Sequence, residues 1–82
     1  MKEQKNIVES MLIDKKRQNL AEILQSARVQ KGYSQTQLAD IVGINDKTVS
    51  RIESCKYSPN LDILYKIIDC LEIELKVNNQ IV

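Results

Sequence analysis

Apolar residues at Leu20, Ile23, Leu24 and Ala27 recur at the spacing of one helix face, and the pattern stops at Gly32, with Lys31 placed in the last turn where a cation suits the helix dipole. This predicts a first helix. Ser34 then reads as an N-cap with Gln37 three residues on, a capping box, and Tyr33 before it is positioned to staple onto Leu38; a second helix runs from there to about Val42. Gly43 ends that helix after two turns. Ile44 and a second good N-cap, Asn45, precede the periodic pair Val49 and Ile52, which predicts a third helix almost at once. Ser58 and Pro59 read as the cap and first residue of a fourth helix, with Leu61, Leu64, Ile67, Ile68 and Leu71 as a wide apolar stripe.

From Glu72 the period changes. Glu72, Ile73, Glu74, Leu75, Lys76 and Val77 alternate between charged and apolar side chains, the pattern of a half-buried strand. No second segment of the chain offers it a convincing partner, so its backbone groups face solvent or pair with another chain. Pairing with the same strand of a second subunit, through Ile73, Leu75 and Val77, is the favoured expectation, because symmetric dimers are the commonest assembly. At the other end, Ile7, Val8, Met11 and Leu12 could form an amphipathic turn or two ahead of the basic cluster Lys15, Lys16 and Arg17. Residues 1–17 are therefore expected to be an extension of the first helix or a frayed arm. The fold expected is mainly α: a compact four- to five-helix bundle containing a helix-turn-helix, plus one short C-terminal β-strand paired across a dimer. The chain divides into an N-terminal extension (1–17), a helix-turn-helix domain (18–71), a dimerisation strand (72–78) and a tail (79–82).

Composition narrows the function. Eighty-two residues close one modest core of marginal stability, and with no Phe or Trp that core must be aliphatic. No run of about 18 apolar residues could span a membrane, and Met1 to Lys5 lack the apolar centre of a secretory signal, so a cytoplasmic location is expected. Cys55 and Cys70 are too few for a disulfide scaffold or a four-ligand zinc site, there is no histidine to complete one, and they read as reduced structural thiols. Without histidine the commonest general base is missing. Two glycines cannot build a phosphate-cradling loop, so neither an enzyme nor a cofactor is expected. The net charge of +1 hides a polarity: residues 28–57 carry five Lys/Arg against three Asp/Glu, whereas residues 58–82 carry two against four. That distribution suits one DNA-facing surface and one that faces something else.

Two short helices separated by a tight glycine turn can brace one helix across the phosphate backbone and insert the other in the major groove. Ala39 is small where the second and third helices approach. Val49 and Ile52 can lock the third helix to the core, and this frees Asn45, Asp46, Lys47, Ser50, Arg51 and Ser54 to face outward. The segments Gln35-Thr36-Gln37-Leu38-Ala39, Gly43 and Thr48-Val49-Ser50-Arg51-Ile52-Glu53 resemble the Cro and phage-repressor-like (XRE) helix-turn-helix family over about Leu20 to Leu71. The resemblance implies that Asp46, Lys47 and Ser50 read base edges, with chemistry to match: Lys donates to guanine, Asp accepts from cytosine, and Ser serves either way. It implies phosphate contacts from Gln35, and Thr36, Asn45, Thr48, Arg51, Ser54 and Lys56 are expected beside it as backbone contacts that orient without reading sequence. It also implies a structural ion pair between Arg28 and Glu53.

Two positions depart from the family pattern. Cys55 stands where glycine usually follows the third helix, so the loop there is expected to be shaped differently, and Glu72 stands where the fourth helix usually ends in glycine. The alternating ending resembles antitoxins of the HipB type, in which a C-terminal strand from each subunit pairs in the dimer. The leading expectation is a homodimeric repressor on double-stranded DNA, either the antitoxin and autorepressor of a toxin partner or a stand-alone regulator. A reading of another class is a protein-interaction adaptor that keeps the fold without binding DNA.

Overall fold

The computed structural model describes residues 2–82, with side chains described from residue 9 onward. Four helices and one small hairpin follow in order: α1 (Lys2–Lys31), α2 (Gln35–Val42), α3 (Asp46–Glu53), α4 (Leu61–Leu71), β1 (Lys76–Val77) and β2 (Gln80–Ile81). The N-terminal extension is continuous with the first domain helix, since neither Gly nor Pro interrupts residues 2–31. At 1.5 Å per residue, α1 is about 45 Å long, which accounts for the longest dimension of the molecule, 46 Å. Only its C-terminal half meets the core, through Ala21, Leu24, Ala27 and Arg28. Met11, Leu12 and Ile13 are exposed, and Ile7 and Val8 lie outside the residues whose side chains are described.

The core is aliphatic. Leu24 and Ala27 of α1, Leu38, Ala39 and Val42 of α2, Val49 and Ile52 of α3, and Ile67, Ile68 and Leu71 of α4 form one buried cluster, with Tyr33 and Ile44 packed at its margin. Ser34 closes the capping box on α2: its Oγ accepts from the Gln37 N–H at 3.0 Å, and its own N–H donates to Gln37 Oε1 at 2.8 Å. Asn45 caps α3 by accepting from the Lys47 N–H at 2.8 Å. For α4 the cap differs from the expectation of Ser58 and Pro59. Asn60 takes the position, its Oδ1 accepting from the Ile63 N–H at 2.9 Å, so Leu61 becomes the first helical residue and is exposed instead of joining the apolar stripe.

All four helices end in the same way. A residue with positive φ follows the last turn, and the next N–H reaches back five residues: Tyr33 to the Arg28 carbonyl, Ile44 to Ala39, Lys56 to Arg51 and Ile73 to Ile68. The left-handed residue is Gly32 and Gly43 in the first two, but Cys55 (φ 63°) and Glu72 (φ 55°) in the others. Cys55 thus adopts the turn that glycine would make, and the loop is not reshaped as its side chain led us to expect. A left-handed residue with a Cβ costs about 1–2 kcal/mol. Glu72→Gly is therefore expected to stabilise the fold by about 0.5–1 kcal/mol, because the strain relieved exceeds the added freedom of the unfolded chain. The ion pair it deletes, Lys31 Nζ to Glu72 Oε2 at 3.0 Å, is solvent-exposed and worth little. A rise in the urea midpoint at constant slope would register the gain; a fall would show that the ion pair outweighs the strain.

The C-terminal segment also departs from expectation. Extended pairing is confined to Lys76–Val77, and the partner is the chain's own Gln80–Ile81, in register Lys76 to Ile81 and Val77 to Gln80. The turn between them is Asn78-Asn79, both with positive φ (53° and 63°), the two-residue geometry that matches strand twist. The Val82 N–H extends the ladder to the Leu75 carbonyl at 2.9 Å, so residues 79–82 carry the second strand and are not a loose tail. Ile73 and Leu75 are half-buried against the core, while Val77 is 61% exposed.

Candidate nucleic-acid interface

α3 is held by its apolar side and presents its polar one. Val49 and Ile52 are almost fully buried, and Ala39 beneath them is 1% exposed, small enough for α2 and α3 to pack closely. Gly43 (φ 83°) makes the turn between them; a Cβ there would meet no atom within 4 Å, so glycine serves the backbone conformation and not the space. Asn45, Asp46, Lys47, Ser50, Arg51, Ser54 and Lys56 are all exposed, Thr48 is half-buried, and Thr36 is exposed in the first turn of α2. Asn45 Oδ1 is occupied by its cap, which leaves the amide hydrogens of that side chain free to donate.

Arg28 and Glu53 come together beneath this surface. Arg28 Nε donates to Glu53 Oε2 at 2.6 Å and Nη2 to Oε1 at 2.9 Å, a bidentate pair in which both side chains are nearly buried. The hydrogen bond to Glu53 raises the Arg28 pKa above its ordinary value, burial opposes it, and the carboxylate charge adds to the rise. Two partners were not legible in the sequence. Arg28 Nη1 donates to the Tyr33 carbonyl at 2.7 Å, and Gln35 Nε2 donates to Glu53 Oε1 at 3.0 Å. A backbone acceptor leaves no sequence signal. One hydrogen of the Gln35 amide anchors it to Glu53, and the other remains available for the expected phosphate contact.

The network ties the end of α1, the start of α2 and the end of α3 to one point, and it consumes the Glu53 charge. What remains exposed along α3 and its loop is Lys47, Arg51 and Lys56 against the single carboxylate of Asp46. Such a surface attracts a polyanion. Cys70 lies away from it on α4, its thiol pKa pushed up by burial and then by the Asp69 and Glu72 charges, with Lys31 opposing, so it stays protonated at neutral pH. No group of three metal-ligating side chains forms among the described residues, and no described helix is long and apolar enough to cross a membrane.

The sequence model of the helix-turn-helix family matches residues 24–77, which takes in α2, the Gly43 turn, α3, α4 and β1. The chain belongs to the helix-turn-helix family, of the XRE type. It is thus a DNA-binding regulator of that family, which is a regulatory and not an enzymatic one. Among solved structures, it is similar to a chain described as "MDT Protein" and to one in the structure of a HipA-HipB-O2-O3 complex. Each is 30% identical with a TM-score of 0.66, over 74% of this chain and 86% of the other. No curated protein matches the sequence.

Proposed function

We propose that this helix-turn-helix protein is a homodimeric transcriptional repressor that reads a two-fold symmetric operator with α3 in the major groove. The observation that carries the reading is the division of α3: Val49 and Ile52 are buried, while Asp46, Lys47 and Ser50 face outward from a helix anchored by the Arg28–Glu53–Gln35 network. Asp46, Lys47 and Ser50 contact base edges; Gln35, Thr36, Asn45, Thr48, Arg51, Ser54 and Lys56 hold phosphates. The free Gln35 amide hydrogen suits such a contact, since its other bond fixes where it points.

The second copy docks on the face made by α4 and the hairpin. A groove of about 500 Å³ opens there, with apolar walls from Tyr65, Ile68, Ile73, Leu75, Ile81 and Val82 and with Lys66, Asp69 and Glu74 also lining it. The outer edge of the hairpin is open among the described residues, and the pairing first expected for the lone strand becomes pairing between hairpins. Selection of binding sites from a pool of random duplexes tests the whole reading. It should return a site with two half-sites whose centres lie about 34 Å apart or a multiple of it. An enriched site with no symmetry would count against the dimer, and no enrichment would favour an adaptor role.

The likeness to a chain of the HipA-HipB-O2-O3 complex favours one biological setting, an antitoxin that also represses its own operon. The acidic side chains of the C-terminal quarter that lie outside the dimer groove, Asp62 and Glu72, then belong to the surface for a toxin partner. Tagging the chain at its native level and purifying it after nuclease treatment separates the two settings. A stoichiometric larger protein that stops growth when made alone establishes the antitoxin; the homodimer alone leaves a stand-alone repressor.

A further inference from the structure

We propose that Glu74 and Lys76 select the partner of the hairpin: β1 pairs antiparallel with β1 of a second copy about Leu75, so that each Glu74 lies opposite the partner's Lys76. The inference rests on the homodimer reading and adds the register to it. It starts from the free edge of β1. The Val82 N–H donates to the Leu75 carbonyl, and Val77 pairs with Gln80 across the two-residue turn, so the backbone groups of Leu75 and Val77 turn towards β2. Those of Glu74 and Lys76, one residue out of phase, point to the opposite edge. Glu74 has no backbone hydrogen-bond partner among the described residues. Half-buried Ile73 and Leu75 alternate with exposed Glu74 and Lys76, so the extended period continues ahead of the paired residues. The outer edge of β2 offers only Ile81 in this way, a shorter template.

Two-fold registers that set the bonding groups of Glu74 and Lys76 against this edge of a second copy are centred on Glu74, Leu75 or Lys76. Centred on Glu74, the pairing puts two carboxylates face to face; centred on Lys76, it does the same with two ammonium groups. Like charges directly opposite destabilise a strand pair. Centred on Leu75, it matches Glu74 with Lys76 twice, Ile73 with Val77 twice and Leu75 with its own copy. Ile73, Leu75 and Val77 then share the face by which Ile73 and Leu75 already meet the core, and Val77, 61% exposed in the single chain, gains an apolar neighbour. Within one strand Lys76 Nζ lies 3.4 Å from Glu74 Oε2, so the four charges of the pair alternate in sign around its centre.

Sedimentation of the full chain without DNA tests the register, together with native mass spectrometry of mixtures in which one chain is labelled with nitrogen-15. Lys76→Glu and Glu74→Lys each set like charges opposite one another at both symmetric positions. Each should weaken self-association about tenfold or more. Both side chains are exposed, so the circular dichroism of either variant should stay that of the folded chain. Mixed in equal amounts, the two variants should form a one-to-one heterodimer with about the affinity of the unaltered homodimer, because every opposed pair is then of opposite charge. Exchanging both residues in one chain, Glu74→Lys with Lys76→Glu, should restore the homodimer. Single variants that dimerise as the unaltered chain does would overturn the register and leave the homodimer standing, and so would a mixture that associates no more tightly than its components. An unaltered chain that sediments as a monomer at every concentration reached would remove the homodimer reading and the register with it.

Discussion

Arg28→Ala should lower the unfolding free energy by about 3–5 kcal/mol, out of a total of about 5–10 kcal/mol for a domain of this size. The loss comes less from the attraction removed than from what stays behind. The Glu53 carboxylate, 4% exposed, keeps one neutral partner in Gln35 and no positive charge, and the Tyr33 carbonyl loses its donor. Urea unfolding followed by circular dichroism measures the effect, and DNA binding should disappear in parallel with structure. Arg28→Met combined with Glu53→Leu separates a buried charge from a lost attraction. With neither charge left in the core, most of the stability should return, short of the contribution of the Gln35 amide and the Tyr33 carbonyl. If Arg28→Ala lay within about 0.5 kcal/mol of the unaltered chain, the network would not be what holds α3.

Lys47→Ala should leave the fold untouched and weaken binding to the selected operator by about 10- to 100-fold, the discrimination carried by a good contact to a base edge. Lys47 is exposed on α3, and its own N–H, which Asn45 caps, survives the substitution. Binding to unrelated duplex should change much less, so the ratio of specific to nonspecific affinity falls. Arg51→Ala should act in the opposite manner, lowering both affinities by a similar factor, because a phosphate contact positions the protein without reading sequence. Anisotropy titrations of both variants on operator and scrambled duplex distinguish the roles. Equal losses for Lys47→Ala on the two duplexes would move it from the reading set to the phosphate set.

The helix-turn-helix was legible because its signals are local. Ser34 with Gln37, Gly43, and Asn45 each fix a backbone state within a few residues, and the burial of Val49 and Ile52 follows from helical period alone. The start of α4 was misplaced for a related reason. Ser58, Pro59 and Asn60 are adjacent residues all suited to a helix start, and the choice among them depends on where the chain must turn back to the core. Cys55 and Glu72 show the opposite case, in which tertiary demands override residue preference. The N–H groups of Lys56 and Ile73 must reach back to close α3 and α4, and Ile73 must pack on the core, so the preceding residue takes positive φ whatever its side chain. The second strand escaped notice because Gln80–Ile81 is too short to show alternation, and only the Asn78-Asn79 pair marks the turn before it.

The most direct test of the account is the salt dependence of binding to the selected operator, measured by anisotropy from 50 to 200 mM salt with the protein-to-site ratio determined at saturation. The account predicts two protomers per site and an affinity that falls by roughly 10³-fold or more across that range, while a scrambled duplex binds far more weakly throughout. Affinity indifferent to salt, or equal for operator and scrambled duplex, would contradict the claim that α3 and its basic flank read DNA.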